Sequence, residues 1–249
     1  MQIDALKLRS MSVALGLAIA GSVTPAIADS GVTGNLSVVS KYVLRGITNN
    51  TESDSPALQG GLDYAHSSGL YAGYWGSNLD YGDTTTATGF ENDVYAGYSF
   101  SAGPVDLNFG GIYYYYMNVD DSNAGEVIAR AGYGPFTLGV NYLVQDVAWG
   151  NTGDMYWTLN YSKSDLPGGF SFAASLGYYV YDDSDPGGAG KIAPGTTTED
   201  AAFRHLNLTV SHPVINDSTT MALTFIAGGK DRSGTDQKEA AVLSLSTGF

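Results

Sequence analysis

Apolar and polar residues alternate one for one through segment after segment of this 249-residue chain, and that two-residue period decides most of what it can fold into. Within Pro135–Gln145, Phe136, Leu138, Val140, Tyr142 and Val144 fall on one side, with Thr137, Gly139, Asn141 and Gln145 on the other. Successive side chains of a strand point to opposite faces, whereas a helix repeats its apolar residues every three or four positions. The stretch 170–181 behaves alike, setting Phe170, Phe172, Ala174, Leu176, Tyr178 and Val180 against Ser171, Ser175, Gly177 and Tyr179. In 105–117, Val105, Leu107, Phe109, Tyr113 and Tyr115 oppose Asp106, Asn108 and Gly110. The chain reads as all-β, built from strands with one apolar and one polar face.

Such segments cover approximately 33–46, 56–66, 69–79, 90–101, 104–117, 125–134, 135–146, 153–163, 169–181, 201–212, 218–229 and 238–249. Short links (67–68, 102–103, 134–135, 165–168, 213–217) alternate with longer, mostly acidic ones (47–55, 80–89, 118–124, 147–152, 182–200, 230–237). Twelve antiparallel strands with short turns at one end and long loops at the other match a transmembrane β-barrel of the bacterial outer membrane. The strands are long enough, since a tilted span needs about 9–11 residues. A β-sandwich or a soluble barrel shares the alternation. Neither explains the tyrosines near segment ends on the apolar face: Tyr42, Tyr64, Tyr113, Tyr115, Tyr133, Tyr161 and Tyr178. A tyrosine's apolar ring and polar tip suit a membrane–water boundary, and a closed barrel leaves lipid no unpaired backbone edge. Both chain termini fall on the short-turn side, which is expected to be periplasmic.

Residues 1–28 read as a secretory signal peptide. Lys7 and Arg9 precede an apolar run from Met11 to Ala20, and Ala26 and Ala28 stand just before Asp29. That run falls short of the roughly 20 apolar residues of a spanning helix, so the barrel is assigned to 29–249. In the last strand Ala241, Leu243, Leu245, Thr247 and Phe249 share a face. The terminal aromatic resembles the C-terminal signature of bacterial outer-membrane proteins, which makes Phe249 the expected contact for the barrel-assembly machinery. Lys+Arg number 11 against 25 Asp+Glu, a formal charge of −14. Such a balance argues against nucleic acid as a partner, because that binding rests on neutralising phosphates. With no cysteine there is no disulfide, thiolate nucleophile or cysteine-bound zinc, and three histidines (His66, His205, His212) leave little for a metal centre. No cofactor or metal is expected.

Several motifs then follow in order: Tyr42-Val-Leu-Arg45-Gly46-Ile-Thr48, Pro56-Ala57-Leu-Gln59-Gly60-Gly61-Leu-Asp63-Tyr64, Ser68-Gly69-Leu-Tyr71-Ala-Gly73-Tyr-Trp75-Gly-Ser77-Asn78 and Glu91-Asn-Asp93-Val-Tyr95-Ala-Gly97-Tyr98. This series resembles the TorF family of porins, also called the Gcw_chp family, across roughly residues 30–100. Beyond that the likeness rests on length, strand rhythm and terminal Phe249. The resemblance implies an exported outer-membrane barrel with a pore-forming role; it implies no agreed substrate and no catalytic residues.

If the apolar faces meet lipid, the alternate residues line a lumen. Lys41, Arg45, Asp63, Asp93, Asp106 and Arg130 are then pore-lining, joined by Gln59, Gly61, Asn108, Glu126, Asn141, Gln145, Asn160, His205 and Asn207. A lipid-facing Arg or Lys costs about 2–4 kcal/mol at the midplane, which assigns the charges inward. In the first strand this turns Leu36, Val38, Tyr42 and Leu44 outward; the third is ambiguous, because Tyr71 and Trp75 oppose Leu70, Ala72 and Tyr74. Twelve strands fall between filled eight-stranded barrels and the open channels of 16–18, so the lumen is expected to be narrow. The expected function is passive passage of small hydrophilic solutes and ions, selected by the inward charges.

Three alternatives stay open. The same charges pair into a static network inside a closed, structural or adhesive barrel. Inward Tyr95, Tyr114, Tyr116, Tyr156, Tyr179 and Tyr181 stack on sugar rings. Or the barrel is a lipid hydrolase, which needs nucleophile, base and orienting group together. His66 and Ser68 share a face but sit in an expected short turn, and His205 with Asn207 supplies no nucleophile, so no catalytic residue is assigned. The loop acids Asp80, Asp83, Asp120, Asp121, Asp182, Asp183 and Asp185 lack the ordered spacing of a calcium loop. They read as a solvated rim bridged by cations to lipopolysaccharide, the expected partner along with outer-membrane lipid.

Overall fold

The alternating segments become twelve strands: β1 (Gly31–Val39), β2 (Ala57–Ala65), β3 (Leu70–Leu79), β4 (Gly89–Ala102), β5 (Val105–Met117), β6 (Ala124–Tyr133), β7 (Phe136–Leu143), β8 (Met155–Leu166), β9 (Phe170–Val180), β10 (Ala201–Ile215), β11 (Thr219–Gly228) and β12 (Ala240–Gly248). The computed structural model describes residues 30–80, 89–183, 196–215 and 218–249. The expected signal segment 1–28 and the loop acids Asp83 and Asp185 lie outside them. Each strand pairs antiparallel with its neighbours in sequence, and β12 pairs with β1, so the sheet closes into a barrel. Gly34 and Phe249 exchange both backbone hydrogen bonds at that seam (2.7 and 3.0 Å). Among the described residues there is no α-helix; the β8–β9 link is a single 3₁₀ turn at Pro167–Gly169.

Strand limits agree with the alternation to within three residues except at one end. The first strand, expected over 33–46, stops at Val39. Arg45 and Gly46 have φ of +46° and +73°, a left-handed backbone that cannot continue a pleated strand. The segment therefore leaves the wall, and Tyr42, expected outward, is buried inside the barrel with Val43.

On the outside, the exposed side chains are apolar and banded. Aliphatic residues such as Leu36, Leu62, Val94, Val127, Leu159, Leu208, Leu223 and Leu243 occupy the strand middles. Aromatic rings gather toward the ends: Tyr64, Tyr98, Tyr133, Phe136 and Phe170 near the short turns, and Phe90, Tyr113, Tyr115, Tyr142, Trp157, Tyr178 and Phe203 near the long loops. Inside, hydroxyls and amides pair across adjacent strands, as in Ser37 Oγ to Ser246 Oγ (2.8 Å), Thr209 with Thr224 (2.8 Å) and Asn108 Nδ2 to Ser99 Oγ (2.7 Å). The wall is inverted relative to a water-soluble barrel: polar within, apolar without. The third strand resolves the same way, with Tyr71 OH donating inward to Asn108 (3.1 Å) and Trp75 packed edge-on against Tyr42 (5.8 Å between centroids).

Candidate functional site

The link between β1 and β2, residues 40–56, folds back into the barrel at the long-loop end. Tyr42 and Ser53 exchange backbone hydrogen bonds (2.9 and 3.2 Å), which closes the link on itself. Val43 joins Val39, Ala57, Leu143, Ile226 and Val242 in a buried apolar cluster that anchors its descent. Thr48 Oγ1 donates to the Lys238 carbonyl (2.6 Å), and Gln237 Oε1 accepts from the Thr48 and Asn49 amides (3.1 and 3.2 Å), tying it to the β11–β12 link. Gly46 passes directly over His205, where a Cβ would lie 2.5 Å from the histidine's own Cβ. Left-handed φ and that close approach both require glycine here.

This path delivers Arg45 into the lumen near its long-loop end. Its NH1 donates to Glu126 Oε1 and Tyr179 OH (both 2.7 Å), and its NH2 to Glu126 Oε2 (2.7 Å) and Tyr114 OH (3.1 Å). The guanidinium lies over the Tyr156 ring, 4.7 Å from its centroid. Glu126 accepts further from Tyr114 OH (2.9 Å) and Asn141 Nδ2 (2.7 Å), and Arg130 NH2 donates to Asn141 Oδ1 (3.3 Å). Tyr156 OH meets His205 Nε2 at 2.7 Å. One loop arginine thus ties together β5, β6, β8 and β9, with β7 and β10 one bond further on. Arg45 is 8% and Glu126 3% exposed, so the pair is desolvated, which is tolerable because the bonding is bidentate and the remaining lone pairs are filled.

The other expected pore residues are distributed differently. Asp93 is buried on β4, opposite Tyr114 in register, beside Glu91, which accepts from Tyr116 OH (2.9 Å). Asp63 points inward and accepts from Tyr95 OH. Asp106 bonds Ser101 Oγ (2.6 Å) at the short-turn end. Lys41, expected on the first strand, sits in the 40–56 link and pairs with Asp54 (2.7 Å). Lys41, with Thr51 in second place, holds the Asp54 carboxyl below its ordinary value. A carboxyl shifted in that direction stabilises at neutral pH, and the contribution fades as acid protonates it. Half-exposed pairs of this kind contribute about 0.2–1 kcal/mol. Lys41→Ala is therefore expected to lower stability by less than about 1 kcal/mol and to leave the reversal potential in a salt gradient unchanged, whereas a Lys41 that faced the solute path would shift it.

Three further residues escape the alternation. In β10, Phe203 pairs with Tyr178 and His205 with Gly177, so Arg204 is the extra residue of a β-bulge and both Arg204 and His205 are buried in the interior. The sign was present as a broken alternation: outward Phe203 is followed by Leu206, not by an apolar residue at 205. Arg232 and Asp154 form a buried ion pair between two long links, for which no local pattern exists. Rings and guanidinium groups interleave along this side: Arg232 over Tyr181 (4.6 Å), Tyr181 stacked on Tyr179 (5.0 Å, 8°), Arg204 over Tyr179 (5.3 Å), and Tyr179 against Tyr156 (5.1 Å).

His66 Nδ1 and Ser68 Oγ do meet, at 2.9 Å, but in the exposed β2–β3 turn, where Nδ1 also accepts the Ser68 amide. Among the described residues no carboxylate hydrogen-bonds the other ring nitrogen, and no group of three His, Asp or Glu is placed to hold a metal ion.

The family described as "Bacterial protein of unknown function (Gcw_chp)" matches residues 25–184. No curated protein matches the chain in sequence. Among solved structures, OpdL of Pseudomonas aeruginosa is 15% identical with a TM-score of 0.44, the match covering 88% of this chain and 68% of that one. The outer membrane protein OprD of the same organism is 13% identical with a TM-score of 0.42, covering 78% of this chain and 59% of that one. The outer membrane phospholipase of Salmonella typhi, solved as a dimer with bound calcium, is 11% identical with a TM-score of 0.43, covering 87% and 90%.

Proposed function

The chain belongs to the Gcw_chp family, and from that premise we propose that it is an outer-membrane porin, of the kind the TorF name denotes, passing small hydrophilic solutes through a lumen constricted by Arg45. The observation that carries the reading is the inversion of the wall. An apolar outer band, flanked at both ends by aromatic rings, encloses a polar interior that holds buried charges. An apolar exterior in water would expose a patch far beyond the few hundred Å² usual for soluble monomers, whereas lipid favours it. The outer membrane is the matching location, and short turns with both termini face the periplasm in this reading.

A second reading, a closed structural barrel, draws on the near-complete burial of Arg45, Glu126 and Asp93. The two differ in one measurable respect. Refolded into planar bilayers, the porin gives discrete conductance steps with a defined ion preference. A closed barrel folds, shows heat-modifiable migration and conducts nothing.

A further inference from the structure

Two of the buried arginines in this barrel have carboxylate partners. Arg45 is paired with Glu126 and Arg232 with Asp154. Arg204, 7% exposed, has no carboxylate partner among the described residues. Its NH1 donates to the Lys230 carbonyl (3.1 Å) and Tyr181 OH (3.4 Å), and its plane rests on Tyr179. Among the described residues nothing accepts from Nε or NH2. Neighbouring Asp231 does not supply the missing charge: Oδ1 accepts from Ser233 and Thr235, and Oδ2 from Gln237. Lys230 and Arg232 are themselves committed, Lys230 to Glu199 (3.5 Å) and Arg232 to Asp154.

We infer that Arg204 is a binding residue for a small carboxylate anion near the long-loop end of the lumen. Nε is buried without an acceptor and NH2 has none among the described residues; together they form one edge of the guanidinium. Their two parallel N–H bonds match the two oxygens of a carboxylate. A buried guanidinium without a counter-ion is costly, so an anion at this edge is favoured over an empty site. One uncompensated cation calls for one negative charge, which fits a monocarboxylate better than a phosphate carrying nearly two. The bulge explains how the site arises: an extra residue in β10 turns Arg204 inward beside His205, onto the tyrosine face of β9. The inference does not depend on conduction, since a closed barrel would hold the same edge.

The test is calorimetric titration of the refolded barrel in detergent with sodium acetate and sodium benzoate, at constant ionic strength, with chloride and inorganic phosphate for comparison. One saturable carboxylate site per barrel is expected, weakened at least tenfold in Arg204→Gln. Arg204→Lys keeps the charge but not the fork, and is expected to bind with intermediate strength. Saturable binding absent from the wild type, equal in both variants, or stronger for phosphate would overturn the assignment. Should Arg204→Gln not refold, wild type against Arg204→Lys decides: equal affinities exclude the fork. Carboxylate binding without conductance removes the porin reading alone, and conductance without carboxylate binding removes this one alone.

Discussion

Arg45→Ala is expected to raise the single-channel conductance at least twofold while lowering the stability of the barrel. The side chain reaches from the 40–56 link to four strands of the wall, so in the porin reading its removal widens the passage at that level. Stability falls because Glu126 is left buried at 3% exposure with only Tyr114 and Asn141 as donors. Breaking a buried pair by removing one partner costs about 3–5 kcal/mol, most of it the stranded charge. The double variant Arg45→Ala/Glu126→Gln should regain much of that stability and keep the larger conductance. Unchanged conductance with lost stability would put the narrowest point elsewhere and make the network purely structural.

Leu223→Arg should cost about 2–4 kcal/mol when the barrel is refolded into lipid vesicles. Leu223 is 55% exposed at the centre of β11, flanked in register by Leu243 of β12 and Val210 of β10, both also outward. On a wall facing water, an arginine there would change stability by no more than about 0.5 kcal/mol, as surface substitutions usually do. The adjacent Thr224 points inward and bonds Thr209, so the two positions separate the faces of a single strand. Urea titration of unfolding from vesicles reads the difference, and an unperturbed Leu223→Arg would contradict the lipid-facing assignment of the outer band.

The wall of this barrel is written in the sequence because a strand's period is two and its faces meet different solvents. That is why Phe136 through Tyr142, or Phe170 through Val180, can be assigned to faces without knowing any neighbour. The same rule misled at Lys41–Arg45, where Tyr42 and Leu44 continue the alternation although the backbone has left the sheet. The physical cue was Gly46: a glycine after an arginine permits the left-handed turn that carries Arg45 inward. Arg204 was hidden by the opposite fault, a bulge that breaks the alternation and brings two consecutive residues inside. Which charges meet was not legible at all, because Arg45 and Glu126 are 81 residues apart and their meeting depends on barrel closure and on the depth of the loop. Arg232 and Asp154 lie in links, where no periodicity constrains the side chains.

The central claim is that a polar lumen, narrowed but not sealed by Arg45, crosses a lipid bilayer. Single-channel recording of the refolded wild-type chain in planar bilayers under a salt gradient tests it most directly. Small, discrete steps with a reproducible reversal potential, rising in Arg45→Ala, are what this account predicts. A folded, heat-modifiable barrel that gives no steps in either form would contradict it.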